Sequence, residues 1–154
     1  MNLSTLNNTS KKSFHAVKAI IYRSDKKLLL QKRDNNPEIP YPLHWNFFGG
    51  EVEVGENFHE ALRRELIEEI EYSPKLIESE IFQSKWKSIH LHYFPIFMSK
   101  EDENIKFKLN EGIEYNWFSI DELVHLDIVP AIYENLFKIS NYLSKKFRDF
   151  NKKY

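Results

Sequence analysis

The segment that opens with the adjacent glycines Gly49 and Gly50 constrains the fold of this chain most. From Asn57 onward its pattern becomes helical, because Asn57 and Glu60 stand at the spacing of a capping box. Apolar residues then recur every four positions, at Phe58, Leu62, Leu66 and Ile70. This periodicity predicts an amphipathic helix over residues 57–71, entered from a glycine-rich loop.

The predicted helix carries three carboxylates on one face. Glu65, Glu68 and Glu69 stand at positions i, i+3 and i+4 of the helix. Like charges at this spacing repel one another, so they need either full solvation or a neutralising cation. Glutamate oxygens on a rigid helix suit Mg²⁺ or Mn²⁺, which also bind substrate phosphates. A glutamate-rich helix is more often a solvated surface, so the cluster alone leaves both interpretations open.

The loop before the helix favours the metal interpretation. Gly49 and Gly50 let the backbone approach a ligand or a metal closely, and Gly55 allows a tight entry into the helix. Arg64 supplies a permanent positive charge that could pair with Glu56 and hold the loop against the helix.

The spacing of these residues resembles the Nudix box of MutT-like hydrolases, which act on nucleoside diphosphates linked to another moiety. The defined positions that match are Gly50, Glu56, Arg64, Glu65, Leu66, Glu68 and Glu69. The resemblance implies an α/β (α+β) fold, the Nudix-type α/β/α sandwich with a mixed β-sheet between helices. It also implies a nucleotide pyrophosphohydrolase that cleaves a diphosphate linkage with Mg²⁺ or Mn²⁺ as its cofactor.

The resemblance assigns roles to single residues. It implies that Glu65, Glu68 and Glu69 are metal ligands, that the carbonyl of Gly49 is a further ligand, and that Arg64 supports catalysis. Glu65 is at the same time a candidate for the general base.

A later acidic residue often completes the site in this family. Glu111, between Asn110 and Gly112, looks like the family's loop glutamate and is a candidate ligand or general base. An ordinary turn glutamate is an equally good interpretation of Glu111, and Glu114 is the nearby rival. Which of Glu65 and Glu111 is the base stays open.

The chain departs from the family pattern at the end of the box, where Glu71 replaces the usual glycine. That glycine normally ends the helix in the left-handed αL conformation, which costs a non-glycine residue about 1 kcal/mol. The departure concerns the helix end more than the catalytic residues.

Other runs predict the remaining elements of the sheet and one closing helix. Two strands joined by a turn form a hairpin, followed by a proline-rich loop, four further strands and a helix. In chain order these are residues 14–23, 27–32, 34–42 (loop), 44–48, 75–82, 86–98, 115–118 and 130–147 (helix).

Composition limits the partners and the location. The 154 residues fit one domain, expected over residues 13–150 behind a flexible N-terminal arm at residues 1–12. The net charge of −1 lacks the basic surface that a nucleic acid polymer requires. Absence of cysteine excludes disulfides and suits a cytoplasmic location. No stretch reaches the roughly 18 apolar residues of a membrane span, so no membrane partner is expected.

Several further residues have a structural and a functional interpretation. His90 and His92 share a strand face compatible with a metal, but packing is the better interpretation. The aromatic residues near the glycines and before the closing helix could stack on a base, although most aromatics belong to the core. These are Trp45, Phe47, Phe48 and Trp117. Ile132 stands where relatives that clear oxidised guanine nucleotides carry an asparagine, which disfavours that base.

The expected partner is a small-molecule nucleotide, and the sequence leaves its identity, its base, the preferred metal and a homodimer open. A second function is also open, that of a Nudix-like domain that binds a nucleotide as a regulator without hydrolysing it. Such domains tend to have lost box carboxylates, whereas this chain keeps them. A purely structural domain would show no Mg²⁺-dependent change in thermal stability.

Overall fold

The computed structural model describes residues 14–152, and the predicted arm at residues 1–12 lies outside the described residues. Within this range the elements follow one another as strands and helices in a mixed order. They are β1 (Phe14–Tyr22), β2 (Leu28–Lys32), β3 (Trp45–Asn46), α1 (Phe58–Ile70), β4 (Phe82–Trp86), β5 (Ile89–Phe97), β6 (Glu114–Phe118), α2 (Ile120–Leu123), α3 (Pro130–Tyr133) and α4 (Leu136–Asn151).

The strands form one mixed sheet in the order β3-β2-β1-β5-β4, with β6 also paired to β2. β1 and β5 run parallel over their whole length, from Phe14 opposite Ile89 to Tyr22 opposite Phe97. The other named strand pairs are antiparallel, including the predicted β1–β2 hairpin. A parallel pair needs a long crossover, and the segment that contains α1 supplies it.

Two apolar layers cover the two faces of this sheet. β1 sends Val17, Ala19 and Ile21 into the layer under α1, which also contains Leu62 and Leu66 of that helix. The alternate β1 residues enter the second layer, together with apolar residues of α3 and α4. The predicted α/β/α sandwich with a mixed sheet is confirmed.

α1 begins and ends through local backbone contacts. The Asn57 side chain accepts a hydrogen bond from the Glu60 amide at 2.9 Å, and the Glu60 carboxylate accepts one from the Asn57 amide at 2.9 Å. The helix ends at Glu71, which adopts αL geometry with φ 52° and ψ 36°. The Glu71 amide donates to the Ile67 carbonyl at 3.0 Å. The helix therefore stops where the family has glycine, although the residue here is glutamate.

Three predicted strands have wrong bounds, and of the strand predicted at residues 44–48 only Trp45–Asn46 forms. Residues 75–81 form no strand, and the amides of Glu78 and Ile81 only donate to carbonyls of β5, at 2.9 and 3.0 Å. The predicted strand at residues 86–98 is interrupted by a turn at Lys87, whose φ of 53° belongs to the left-handed region. This turn joins β4 to β5 as a hairpin that the alternating pattern did not show.

The predicted closing helix at residues 130–147 is wrong as one element, because it is split into α3 and α4. The Asn135 side chain lies at the break and donates to the Ala131 carbonyl at 2.7 Å, a local bond of the kind that competes with helix geometry. α2 was not predicted, although Ser119 and Glu122 form a capping box at its start. No helix within residues 14–152 has the length and apolar character that a membrane span needs.

Replacing Glu71 by glycine should raise the melting temperature by a few degrees, because glycine adopts the αL conformation without the penalty of about 1 kcal/mol. Thermal unfolding followed by circular dichroism measures this. Glu71→Gln is the matched control, since it removes the Lys108 ion pair but keeps the strained backbone. A glycine variant no more stable than the glutamine variant would contradict the prediction.

Candidate active site

Residues 48–50 pair with the backbone of β1. The Ala19 amide donates to the Phe48 carbonyl and the Val17 amide donates to the Gly50 carbonyl, both at 2.9 Å. Gly49 has a φ of 133°, and a Cβ there would lie 1.9 Å from the Val17 carbonyl oxygen. Only glycine fits this close approach. The pairing turns the carbonyls of Phe48 and Gly50 toward β1 and leaves that of Gly49 facing away.

Glu69 lies against the same backbone. Its side chain is 3% exposed, and its carboxylate accepts hydrogen bonds from the Gly49 amide at 2.8 Å and from the Gln31 side chain at 3.4 Å. Burial raises the pKa of Glu69 to about 7, and the nearby Lys18 ammonium opposes this shift. The helix thus holds a buried carboxylate whose negative charge is only partly balanced by the positive charge of Lys18.

Glu65 approaches the second glycine. A Cβ added to Gly50 would lie 2.6 Å from the Glu65 carboxyl carbon, so glycine leaves the space that this carboxylate uses. Burial raises the pKa of Glu65, while the hydrogen bond from Arg64 opposes the shift. Glu68 is more exposed, and its carboxylate lies 3.3 Å from the Arg64 guanidinium.

Arg64 ties the loop to the helix. Its Nε donates to the Glu56 carboxylate at 2.6 Å, and its Nη2 donates to the Glu51 carbonyl at 2.9 Å. Its Nη1 also donates to Glu65 at 2.8 Å. The pair of Arg64 with Glu56 suggested by the sequence is present in the structure. Arg64 therefore fixes the loop, and its guanidinium attracts the carboxylates of both Glu65 and Glu68.

Glu111 reaches the same region from the loop before β6. The Asn110 amide donates to the Glu69 carbonyl at 2.8 Å, which docks this loop on the end of α1. The Glu111 carboxylate interacts electrostatically with Glu69 and Lys18. The rival Glu114 lies instead 3.7 Å from Lys32 as an exposed ion pair. The structure thus brings Glu111, not Glu114, to the carboxylates of α1.

The donor set fits a hard divalent cation. Glu65, Glu69 and the Gly49 carbonyl offer oxygen ligands, which Mg²⁺ and Mn²⁺ prefer, and Gly50 leaves room beside them. Within residues 14–152, no three acidic or histidine side chains already surround a common metal position. Glu65 and Glu68 instead contact the Arg64 guanidinium, so Glu68 would have to turn inward to join a metal.

A cleft of about 280 Å³ opens beside Gly49 and Gly50. Its walls combine apolar and aromatic residues with the amide of Asn46, the acidic residue Glu51 and two cationic side chains. The aromatic residues are Tyr41, Trp86 and Tyr93, and the cationic side chains are Lys18 and Arg33. The rings of Tyr41 and Trp86 meet edge to face at a centroid distance of 6.4 Å.

Lys18 and Trp86 were missed as cleft residues in the sequence for identifiable reasons. Lys18 stands within an apolar strand, and Trp86 stands at the end of β4, so neither belongs to a motif. The aromatic residues considered for stacking lie elsewhere. Trp45, Phe47 and Phe48 are buried in the core, and the ring of Trp117 faces Arg23 at 4.4 Å.

The histidines of β5 lie under α1. His92 is buried, its Nε2 lies 2.9 Å from Nδ1 of His15, and its Nδ1 contacts the Glu80 carboxylate. The Phe58 ring of α1 packs on His92 with a centroid distance of 4.1 Å. This contact agrees with the packing interpretation of His92.

Comparison with known proteins agrees with this geometry. A family model described as the NUDIX domain matches residues 12–138. The chain belongs to the Nudix family. The predicted MutT-like Nudix hydrolase assignment is thereby confirmed at the level of the family.

Individual Nudix proteins resemble the chain at lower identity. The nucleoside triphosphatase NudI of Escherichia coli is 29% identical over 107 residues, which cover 62% of this chain and 76% of that protein. The MutT protein of Methanosarcina mazei is 23% identical with a TM-score of 0.65, covering 86% of this chain and 95% of that chain. The NUDIX domain of Shewanella oneidensis NrtR, complexed with ADP-ribose, is 16% identical with a TM-score of 0.69, covering 86% and 90%. The two solved structures show the shared fold.

In EDTA, the wild type should lose stability relative to Glu69→Gln as the pH rises from about 4.5 to about 7. The pKa of Glu69 is about 7 in the fold against a reference value of 4.5. The folded protein therefore keeps a proton that the unfolded chain has released, and stabilisation present at low pH is lost through this interval. Glutamine does not titrate.

Urea denaturation at several pH values measures this difference. Glu68→Gln is the matched control, because it removes a more exposed carboxylate from the same helix. A difference in stability between the wild type and Glu69→Gln that stays constant with pH would contradict the assigned pKa.

Proposed function

We propose that this Nudix protein hydrolyses a diphosphate linkage in a nucleoside diphosphate derivative, with Mg²⁺ or Mn²⁺ as cofactor. The observation that carries the proposal is the position of Glu65 and Glu69 against Gly49 and Gly50, beside a cleft with cationic and aromatic walls. Carboxylates suited to a metal and a cleft with polar and aromatic walls thus share one edge.

The proposed chemistry assigns separate tasks to the residues. When bound, the metal neutralises phosphoryl charge and acidifies a water molecule. Glu65, Glu69 and the Gly49 carbonyl would hold it, joined by Glu68. Glu65 or Glu111 would then take the proton of the attacking water, since both are acidic groups at this edge.

Arg33 is suited to contact the substrate's phosphates. It lines the cleft, and its buried Nε has no hydrogen-bond partner within residues 14–152. An unpaired buried donor is costly, so a phosphate oxygen would satisfy it. Burial also lowers the pKa of Arg33, and the charges of Glu69 and Asp34 oppose this shift.

The cleft supports a nucleoside as the other half of the substrate. Trp86 and Tyr41 provide aromatic surface for a base or ribose, as in many nucleotide sites. Ile132 is buried in the core, and its neighbours Val129 and Ala131 line the cleft. These aliphatic side chains donate no hydrogen bond, which disfavours recognition of oxidised guanine there. The similarity to NudI favours nucleoside triphosphates as the first class to test.

The proposed enzyme is a single-domain cytoplasmic protein over residues 13–150. One sheet carries both apolar layers, which supports one domain. The absence of cysteine suits a reducing compartment. A small-molecule nucleotide is the proposed partner, and the net charge of −1 disfavours a nucleic acid polymer.

A panel of nucleoside triphosphates, sugar nucleotides, ADP-ribose and dinucleoside polyphosphates tests the function, assayed with Mg²⁺, Mn²⁺ or EDTA. Metal-dependent release of phosphate, pyrophosphate or nucleoside monophosphate from one class is expected. Binding of a nucleotide without turnover would favour the alternative of a regulatory domain.

Glu68→Gln should lower kcat by more than about 100-fold while leaving the melting temperature near that of the wild type. Loss of a metal ligand accounts for the first effect, and the exposure of Glu68 accounts for the second. The exposed Glu101→Gln variant is the control for a lost negative charge, and it should keep full activity. Near-normal turnover by Glu68→Gln would remove the basis of the proposed mechanism.

Asn46→Leu should raise KM for nucleotides about tenfold with a smaller change in kcat. The Asn46 side chain is 7% exposed, lines the cleft, and makes no side-chain hydrogen bond within residues 14–152. A carboxamide that lines the cleft without a side-chain partner is suited to bind a polar edge of the substrate. Steady-state kinetics measure the effect, and an unchanged KM for every substrate would contradict it.

A further inference from the structure

Lys18 is a cation in the cleft that has no role in the proposed reaction. It lies on β1 within a run of buried residues, between Val17 and Ala19. Its side chain lines the cleft, and its Nζ donates to the Gly49 carbonyl at 3.3 Å. A lysine in an apolar strand is costly unless a partner satisfies it. The Gly49 carbonyl provides that partner.

The Gly49 carbonyl is held in place for a ligand on the cleft side. Its neighbours, the carbonyls of Phe48 and Gly50, accept hydrogen bonds from β1. Within residues 14–152, Lys18 is the only hydrogen-bond donor to the Gly49 carbonyl. The Gly49 backbone already lies close to β1, since a Cβ there would be 1.9 Å from the Val17 carbonyl oxygen. Whatever binds this oxygen must therefore approach from the side that Lys18 occupies.

Lys18 also interacts with the buried carboxylate. The charges of Lys18 and Glu69 attract each other, and Glu69 accepts a hydrogen bond from the Gly49 amide at 2.8 Å. The amine of Lys18 thus binds the Gly49 carbonyl and attracts the charge of Glu69, two oxygen groups that the proposed function gives to the metal. A divalent ion at the Gly49 carbonyl would be repelled by the positive charge of this amine, so the two cations compete for the position.

We propose that Lys18 is a built-in competitor of the metal, whose amine binds the Gly49 carbonyl beside Glu69 until a divalent ion displaces it. The displaced amine stays in the cleft on the flexible lysine side chain, where Arg33 also lies. There it contacts a phosphate of the substrate, so that substrate binding favours the displaced state. Metal and nucleotide therefore strengthen each other's binding, as linkage requires. This scheme rests on the proposed function.

Titration with Mn²⁺ alone, without nucleotide, tests the competition. Lys18→Met keeps the length and apolar stem of the side chain but removes the amine, and it should bind Mn²⁺ roughly tenfold more tightly than the wild type. The melting temperature in EDTA should fall, because Glu69 loses its cation. Lys106→Met removes an exposed lysine from another loop and should leave the Mn²⁺ affinity unchanged.

A measurement on the wild-type protein does not depend on how the variant folds. Reductive methylation followed by peptide mass spectrometry should modify Lys18 several-fold faster with Mg²⁺ than with EDTA, because the metal releases its amine. Lys106 should react at the same rate in both conditions and serves as the internal reference.

The outcomes separate this inference from the proposed function. If the wild type binds Mn²⁺ but Lys18→Met binds it equally or more weakly, the competition is refuted and the hydrolase proposal stands. If metal leaves the methylation rate of Lys18 unchanged, displacement is likewise refuted. If the wild type binds no Mn²⁺, both proposals fail together.

Discussion

The pairing of residues 48–50 with β1 is the constraint on which the rest of the site depends. It uses the carbonyls on either side of Gly49 and leaves the Gly49 amide and carbonyl free to face the helix and the cleft. The amide then binds Glu69, and the carbonyl binds Lys18. A side chain at position 49 would collide with β1, so the loop, the buried carboxylate and the cleft would all have to move. Pairing with the sheet thereby fixes the positions of the site residues.

Positive charges organise the carboxylates of α1 in two ways. Arg64 binds Glu56 and the loop backbone. Its guanidinium also contacts the carboxylates of Glu65 and Glu68. Lys18 and Arg33 approach from the cleft, where burial lowers the pKa of each. The first contact is structural, because it closes the loop on the helix. The cleft side offers cations that a bound anion would stabilise, which explains why a substrate with phosphates suits this edge.

The sequence predicted the parts of the structure that depend on local patterns. The capping box at Asn57, the carboxylate face of α1 and the alternating strand β1 follow from short-range spacing. The sequence also placed the end of this helix at Glu71, and the helix ends there in αL geometry despite the missing glycine. Residues that act through the fold were harder to see. Lys18 reads as an interruption of an apolar strand, because its partner Gly49 is brought to it only by the pairing of two distant segments.

A crystal structure with Mn²⁺ and a non-hydrolysable nucleotide tests the central claim most directly, since anomalous scattering locates the metal without prior assumptions. We expect manganese within about 2.5 Å of oxygens of Glu65, Glu69 and the Gly49 carbonyl. The nucleotide's phosphates should lie on the cleft side, with its base or ribose against Trp86. Manganese bound away from α1, or a nucleotide bound outside the cleft, would contradict the account.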